Sequence, residues 1–153
     1  MIQHIFIGAD HAGFALKEAL KQYLLDGGFM VTDLGNEELD AQDDYVDFAV
    51  LVAKNVASDP ESCGILICNT GSGMSIAANK IPGIRAVNVW NEDIARYARE
   101  HNHANVLCLG ERFLSWNEAQ KITQKWVETN FSTEERHLRR VGKIDEIQRE
   151  QKS

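Results

Sequence analysis

Cys68 opens the stretch "CNTGSG", directly after the apolar run "GILI". A thiol beside a tight glycine turn has a definite chemical use. Gly71 and Gly73 permit backbone amides to converge on one point, and a helix expected over "SIAANK" adds its positive end. Such a cradle holds an anion. It also favours a thiolate, which can take a proton from a substrate carbon while the amides hold the enediolate oxygen that forms. Thr70 is placed to donate a hydrogen bond to the same oxygen. This is the chemistry of moving a carbonyl between C1 and C2 of a sugar. A buried cysteine before an ordinary turn fits the same spacing.

Other readings of the turn are weaker. A dinucleotide fingerprint needs a third glycine where Ile76 stands, and it usually follows the first strand, not the third. A P-loop needs a Gly-Lys-Ser/Thr that is absent. A cysteine phosphatase needs an arginine closing the loop, and Met74 sits six residues after Cys68. His101 and His103 have a metal-ligand spacing, but no carboxylate or cysteine set completes a site, so no metal is expected. Cys63 and Cys108 read as small buried hydrophobes, and with an odd count and no CxxC pair a disulfide framework is not expected.

The elements that must position these residues follow from a changing apolar period. "HIFIGAD", "FMVTDLG", "CGILICN", "IRAVNVW" and "ANVLCLG" read as short buried strands. Between them, "GFALKEALKQYLLDGG", "YVDFAVLVAKNVAS", "SIAANK" and "EDIARYAREH" carry helical stripes, and "WNEAQKITQKWVETNF" and "EERHLRRVGKIDEIQRE" close the chain as helices. The terminal "QREQKS" is expected to fray. Strands alternating with helices imply an α/β fold whose parallel sheet is covered on both faces. Ligands in such sheets bind beyond the carboxyl ends of the strands. Asp10 and His11 follow the first strand, Cys68 through Ser75 the third, and Gly110 through Arg112 the fifth. His101 and Asn102, in the segment before the fifth strand, are expected to join them at one edge.

The 153 residues suit one domain with no linker, and the formal net charge of -7 argues against broad nucleic-acid or membrane-surface binding. The segment from Arg136 to Arg140 is a local basic patch, which reads equally as a solvated charged face. No transmembrane run and no basic leader segment stand out, so a cytosolic protein is expected.

Five segments then carry a resemblance over essentially the whole chain: "GADHAGFALK", "DDYVDFA", "ILICNTGSGMSIAANKIPGIRAV", "REHNHANVLCLGER" and "RHLRRV". Together they resemble the ribose-5-phosphate isomerase B family, which includes allose-6-phosphate and galactose-6-phosphate isomerases. The resemblance implies a three-layer α/β/α Rossmann-like fold with a five-stranded parallel sheet. It also implies a homodimer with shared active sites, with a tetramer left open, and an aldose–ketose isomerase without metal or organic cofactor. It casts Cys68 as the base between C1 and C2, assisted by Thr70, with the amides from Asn69 through Gly71, Ser72 and Gly73 as the anion hole. His101 becomes the acid/base that opens the furanose ring. Asp10 and Asn102 hold sugar hydroxyls and the ring oxygen, and Tyr45 lines the pocket. His11, Arg112, Arg136 and Arg140 bind the phosphate, the last two from the partner subunit, with the C-terminal helix packing on that partner. Asn69 stands where the family commonly has glycine, and Val46 where it usually has proline. The implied substrate is ribose 5-phosphate. A hexose 6-phosphate and a non-catalytic sugar-phosphate-binding module are the alternatives.

Overall fold

The computed structural model describes residues 1–152. The elements in chain order are β1 (His4–Ala9), α1 (Phe14–Asp26), β2 (Met30–Asp33), α2 (Tyr45–Ser58), β3 (Ser62–Cys68) and α3 (Ser72–Ala78). They continue as β4 (Ala86–Asn88), α4 (Glu92–Asn102), β5 (Val106–Gly110), a 3-10 turn (Glu111–Phe113), α5 (Trp116–Glu128) and α6 (Glu135–Gln151). The strands form one sheet in the order β2-β1-β3-β5-β4, and every neighbouring pair is parallel.

All seven residues of β3 are buried, which is why this strand reads as an uninterrupted apolar run rather than an alternating one. On one face, α1, α4 and α5 bury Leu20, Leu24, Ala98, Ile122 and Trp126 against it. On the other, α2 and α3 bury Ala49, Val52, Met74 and Ala78. The expected three layers are therefore present. The chain leaves β1 toward β2 and leaves β3 toward the opposite side of the sheet. That reversal opens a crevice at the carboxyl ends of β1 and β3. Asp10 crosses it, donating its amide to the Ile67 carbonyl at 3.3 Å.

Three expectations change. The third helix begins at Ser72, ahead of the expected Ser75, because Gly71 takes a left-handed φ of 80° and turns the strand directly into helix. That helix has only seven residues, so its dipole adds little, and the cradle rests on individual amides. The fourth strand shrinks to Ala86–Asn88, because side-chain oxygens of Asn105 and Asn79 take the Arg85 and Ala86 amides. The tail expected to fray is helical through Gln151, held where the Gln148 side chain accepts from the Gly83 amide at 2.9 Å and Asp145 pairs with Arg85. Among the described residues no helix is long and apolar enough to cross a membrane.

One buried charge sits in this frame. The Lys17 side chain, on α1, is fully buried and donates to both Asp33 carboxylate oxygens and to the Asn36 carbonyl at 2.7–3.0 Å. Lys21 shares Asp33 at 2.8 Å. Burial by itself would raise the Asp33 pKa, but the two lysines outweigh it and hold the carboxyl below its usual value. This knot pins the strap that runs from Asp33 to the start of α2. Removing one partner of a buried pair strands the other. Lys17→Met is therefore expected to cost about 2–4 kcal/mol in urea denaturation, less than the full value for such pairs because Lys21 remains. Lys21→Met, whose ammonium is partly solvated, should cost under about 1 kcal/mol. Equal losses would show that burial of Lys17 is not what matters.

Candidate active site

At the carboxyl edge, β3 delivers Cys68, 4 % exposed, and the Gly71 amide donates back to its sulfur at 3.1 Å. The loop that follows is tied on several sides. Asn88, at the end of β4, donates to the Thr70 carbonyl at 3.1 Å and lies 3.4 Å from the Ser72 hydroxyl. The Arg112 amide donates to the Asn69 carbonyl at 3.1 Å. The Thr70 hydroxyl accepts from the Ser72 amide at 3.3 Å. Tyr45, the first residue of α2, lays its ring against Gly73 so closely that a Cβ there would lie 2.6 Å from it. Asp10 accepts from the Ala12 and Gly13 amides at 3.1 and 3.2 Å. His11 bonds to Asp43 through both its amide and its Nδ1. Asp10, His11, Tyr45, Cys68, Asn69, Thr70, Gly71, Ser72, Gly73 and Arg112 thus come together. The other two cysteines are core residues. Burial, with Cys68 as a neighbour, pushes the Cys108 thiol up, and burial pushes Cys63 up to about 11.

His101 and Asn102 do not join them, which corrects the single-edge expectation. α4 runs antiparallel to the strands, so its last turn reaches the amino edge of the sheet. There the Arg85 Nε, just ahead of β4, donates to the His103 carbonyl at 2.9 Å. β5, five residues long, separates the two edges by roughly 17 Å. A five-carbon sugar cannot touch both Cys68 and His101 of the same chain. Instead His101 is grouped with α6. Its ring stacks on His137 with centroids 4.2 Å apart and planes 7° from parallel, and its centroid lies 4.9 Å from that of Tyr97. Arg136 and Arg140, exposed on the same helix, flank His137. Glu100, His101, Phe131, Ser132, Glu134 and His137 line a hollow of about 470 Å³.

Sequence reasoning passed over three residues here. Asn88 ends a strand at the carboxyl edge, and the rule that pointed to Asp10 and Cys68 also points to it. Asp43 stands in an acidic loop with nothing local to single it out. His137 lies between Arg136 and Leu138 in "RHLRRV", where the neighbouring arginines mask it. His103, unassigned by sequence, caps α4 with a left-handed φ of 49° and bonds to the Ser132 carbonyl. Among the described residues no group of three or more histidine, cysteine or acidic side chains is placed to hold a metal ion.

His137 is 4 % exposed, and among the described residues its Nε2 has no hydrogen-bond partner; the Glu134 carboxylate stands 3.8 Å away. Burial, reinforced by His101, Arg136 and Arg140, lowers its pKa from the ordinary value. The unfolded chain therefore binds this proton more readily than the folded one. The stability contributed by the neutral ring is complete above the ordinary histidine value. It is lost as pH falls from there toward the lowered folded value. Wild-type stability should fall more steeply than that of His137→Gln between roughly pH 7 and 5. Urea midpoints across that range measure it, and parallel profiles would contradict it.

The Ribose/Galactose Isomerase family model matches residues 5–144. A probable ribose-5-phosphate isomerase B of Mycoplasma genitalium is 45% identical over 148 residues, covering 96% of this chain and 97% of that one. Ribose-5-phosphate isomerase B of Mycobacterium tuberculosis is 39% identical over 145 residues, covering 95% and 90%. The crystal structure of the Mycoplasma genitalium protein with bound ribulose-5-phosphate matches with a TM-score of 0.93 at 44% identity, over 98% of this chain and 99% of that one. With a family model spanning β1 to α6 and relatives alike over nearly their whole length, this chain belongs to the ribose/galactose isomerase family.

Proposed function

We propose that this chain is an aldose–ketose isomerase that interconverts ribose 5-phosphate and ribulose 5-phosphate through an enediolate. The observation that carries the reading is the Cys68 sulfur held at the end of β3 by the Gly71 amide, at the head of a glycine turn that leads directly into α3. Two facts from the comparisons support it. Relatives alike over nearly the full chain are ribose-5-phosphate isomerases B, and a neighbour of the same fold was crystallised with ribulose-5-phosphate.

The steps follow from the groups present. Cys68 as thiolate takes the proton from C2 of the open aldose, and the electron pair moves onto the C1 oxygen. Amides from Asn69 to Gly73 and the Thr70 hydroxyl stabilise that oxygen as charge develops. Transfer of a proton from the C2 hydroxyl to the C1 oxygen, through Thr70, and return of the Cys68 proton to C1 give the ketose. Before this the furanose must open. His101 is assigned that proton transfer, since imidazole titrates near neutrality. Asp10 and Asn102 hold the ring oxygen and hydroxyls, and Tyr45 walls the pocket. His11, Arg112, Arg136 and Arg140 take the phosphate, the arginines through forked charged donors.

Because His101 and Cys68 lie at opposite edges of one sheet, the complete pocket requires two copies of the chain. One supplies the thiol edge, and the other supplies His101, Asn102, Arg136 and Arg140. α6 supports this arrangement, since Leu138, Ile144 and Ile147 are 48%, 41% and 56% exposed on it. The three free cysteines and the acidic surface accord with a cytosolic setting.

Two experiments test the reading. Cys68→Ala should lower kcat for ribose 5-phosphate by roughly 10²–10⁴-fold, the usual worth of a positioned acid/base, with exchange of the C2 proton falling in parallel. Near-normal turnover would sink the mechanism. The second experiment mixes Cys68→Ala chains with chains carrying Arg136→Ala and Arg140→Ala, both inactive alone. In a two-fold dimer, half the dimers are mixed and half of their pockets are intact, so roughly a quarter of wild-type activity should return. With subunit exchange confirmed by mass-tagged chains, no recovery would mean that each pocket is built within one chain.

A further inference from the structure

The loop between β2 and α2 carries a carboxylate that the mechanism above does not use. The Asp43 side chain is only 7% exposed, although it sits beside the open carboxyl edge. One of its oxygens accepts from the His11 amide at 3.0 Å and from the same residue's Nδ1 at 2.8 Å. The other accepts from the Asn36 side-chain amide at 3.1 Å. Asn36 is itself anchored, because its carbonyl takes a hydrogen bond from the buried Lys17. Among the described residues no lysine or arginine lies within ion-pair distance of Asp43, so the imidazole is its one cationic partner. A carboxylate that only accepts forces the hydrogen onto Nδ1. The His11 ring is 44% exposed, and Nε2 is the nitrogen outside this pair.

We propose that Asp43 is a positioning residue for phosphate recognition: it clamps His11 by main chain and ring together and presents Nε2–H to the phosphoryl group. The proposal rests on the assignment of His11 to the phosphate. Its logic is electrostatic. The groups facing the ring are all acidic: Asp43 and Asp40 from the loop, and Asp10 from the end of β1. Beside the arginines assigned to the phosphate, these three carboxylates oppose an anion at the ring, and a charged imidazole offsets them. The bond to Asp43, with Asp10 and Asp40 adding to it, raises the His11 pKa above its ordinary value and supplies that charge. When the ring does lose a proton, Nδ1 keeps its hydrogen against Asp43. Nε2 then changes from donor to acceptor and turns a lone pair toward the anion. The Michaelis constant should accordingly climb as pH rises through the raised value.

The test separates the pair from the reaction. Histidine NMR titration of the ligand-free protein, with the His11 signal identified by its loss in His11→Gln, should show a midpoint above that of an ordinary histidine. In Asp43→Asn, which keeps the shape but not the charge, that midpoint should fall. Inorganic phosphate should shift the His11 resonances of the wild-type protein. In kinetics, Asp43→Asn should raise KM for ribose 5-phosphate roughly five- to tenfold at neutral pH, with kcat changed less than about twofold, and the pH-dependent climb should begin at lower pH. Adding Asp43→Asn to His11→Gln should cost nothing further, because the carboxylate acts only through the ring. A His11 midpoint indifferent to Asp43, no response to phosphate, or additive losses in the double variant would each overturn the proposal. Absence of any ribose 5-phosphate turnover in the wild type would instead overturn the isomerase reading, leaving the two NMR outcomes to decide the clamp.

Discussion

The turn that brings the Gly71 amide back onto the Cys68 sulfur is the constraint on which the carboxyl edge depends. It closes only because Gly71 holds a φ of 80°, and a Cβ at that position would run into the Asn88 side chain. Three neighbouring elements are fastened to this loop. Asn88 reaches it from β4, the Arg112 amide from the end of β5, and the Tyr45 ring from α2 by lying on Gly73. The loop in turn inherits its position from β3, which is buried along its whole length between β1 and β5. A strand buried along its whole length therefore carries the thiol, and the sulfur is held by the core.

The fold was legible because parallel strands buried on both faces and amphipathic helices have different periods. "GILI" and "KEALKQYLL" could not be exchanged. Element ends were less legible, since they depend on side chains far away in sequence. β4 is cut short by Asn105 and Asn79, and α6 is prolonged by Gly83 and Arg85, contacts that no local pattern announces. The thiol edge was readable because the rule for open sheets points to residues directly after strands. The expectation that His101 joins this edge fails for a reason internal to the same rule. A residue before a strand lies at the amino end, and the segment "REHNHAN" precedes β5. Pairings such as Asp43 with His11 and His101 with His137 join residues 32 and 36 positions apart, and the sequence carries no periodic trace of them.

The separation of the two clusters gives the chain's architecture a consequence for assembly. Strand length alone keeps Cys68 and His101 apart, and no side-chain rotation spans it. If both act on one sugar, catalysis exists only in an oligomer, and a lone chain has two half-sites.

Phosphate binding by a chain of net charge -7 depends on where cations sit rather than how many there are. At physiological ionic strength the field of distant carboxylates is screened within about 8 Å, so contact-range charges decide. At the thiol edge those are Arg112 and the His11 ring, the latter surrounded by Asp10, Asp40 and Asp43. At the histidine edge, Arg136 is already paired with Glu134 at 2.8 Å and Arg139 with Glu135 at 2.8 Å. If Arg136 takes the phosphate as proposed, it exchanges the Glu134 carboxylate for it, and because an exposed pair of this kind is worth little, that exchange costs little. Both edges thus pair basic groups with acids. The two pairs differ in their acid: the Asp43 carboxylate is buried and held on both oxygens, whereas Glu134 is exposed.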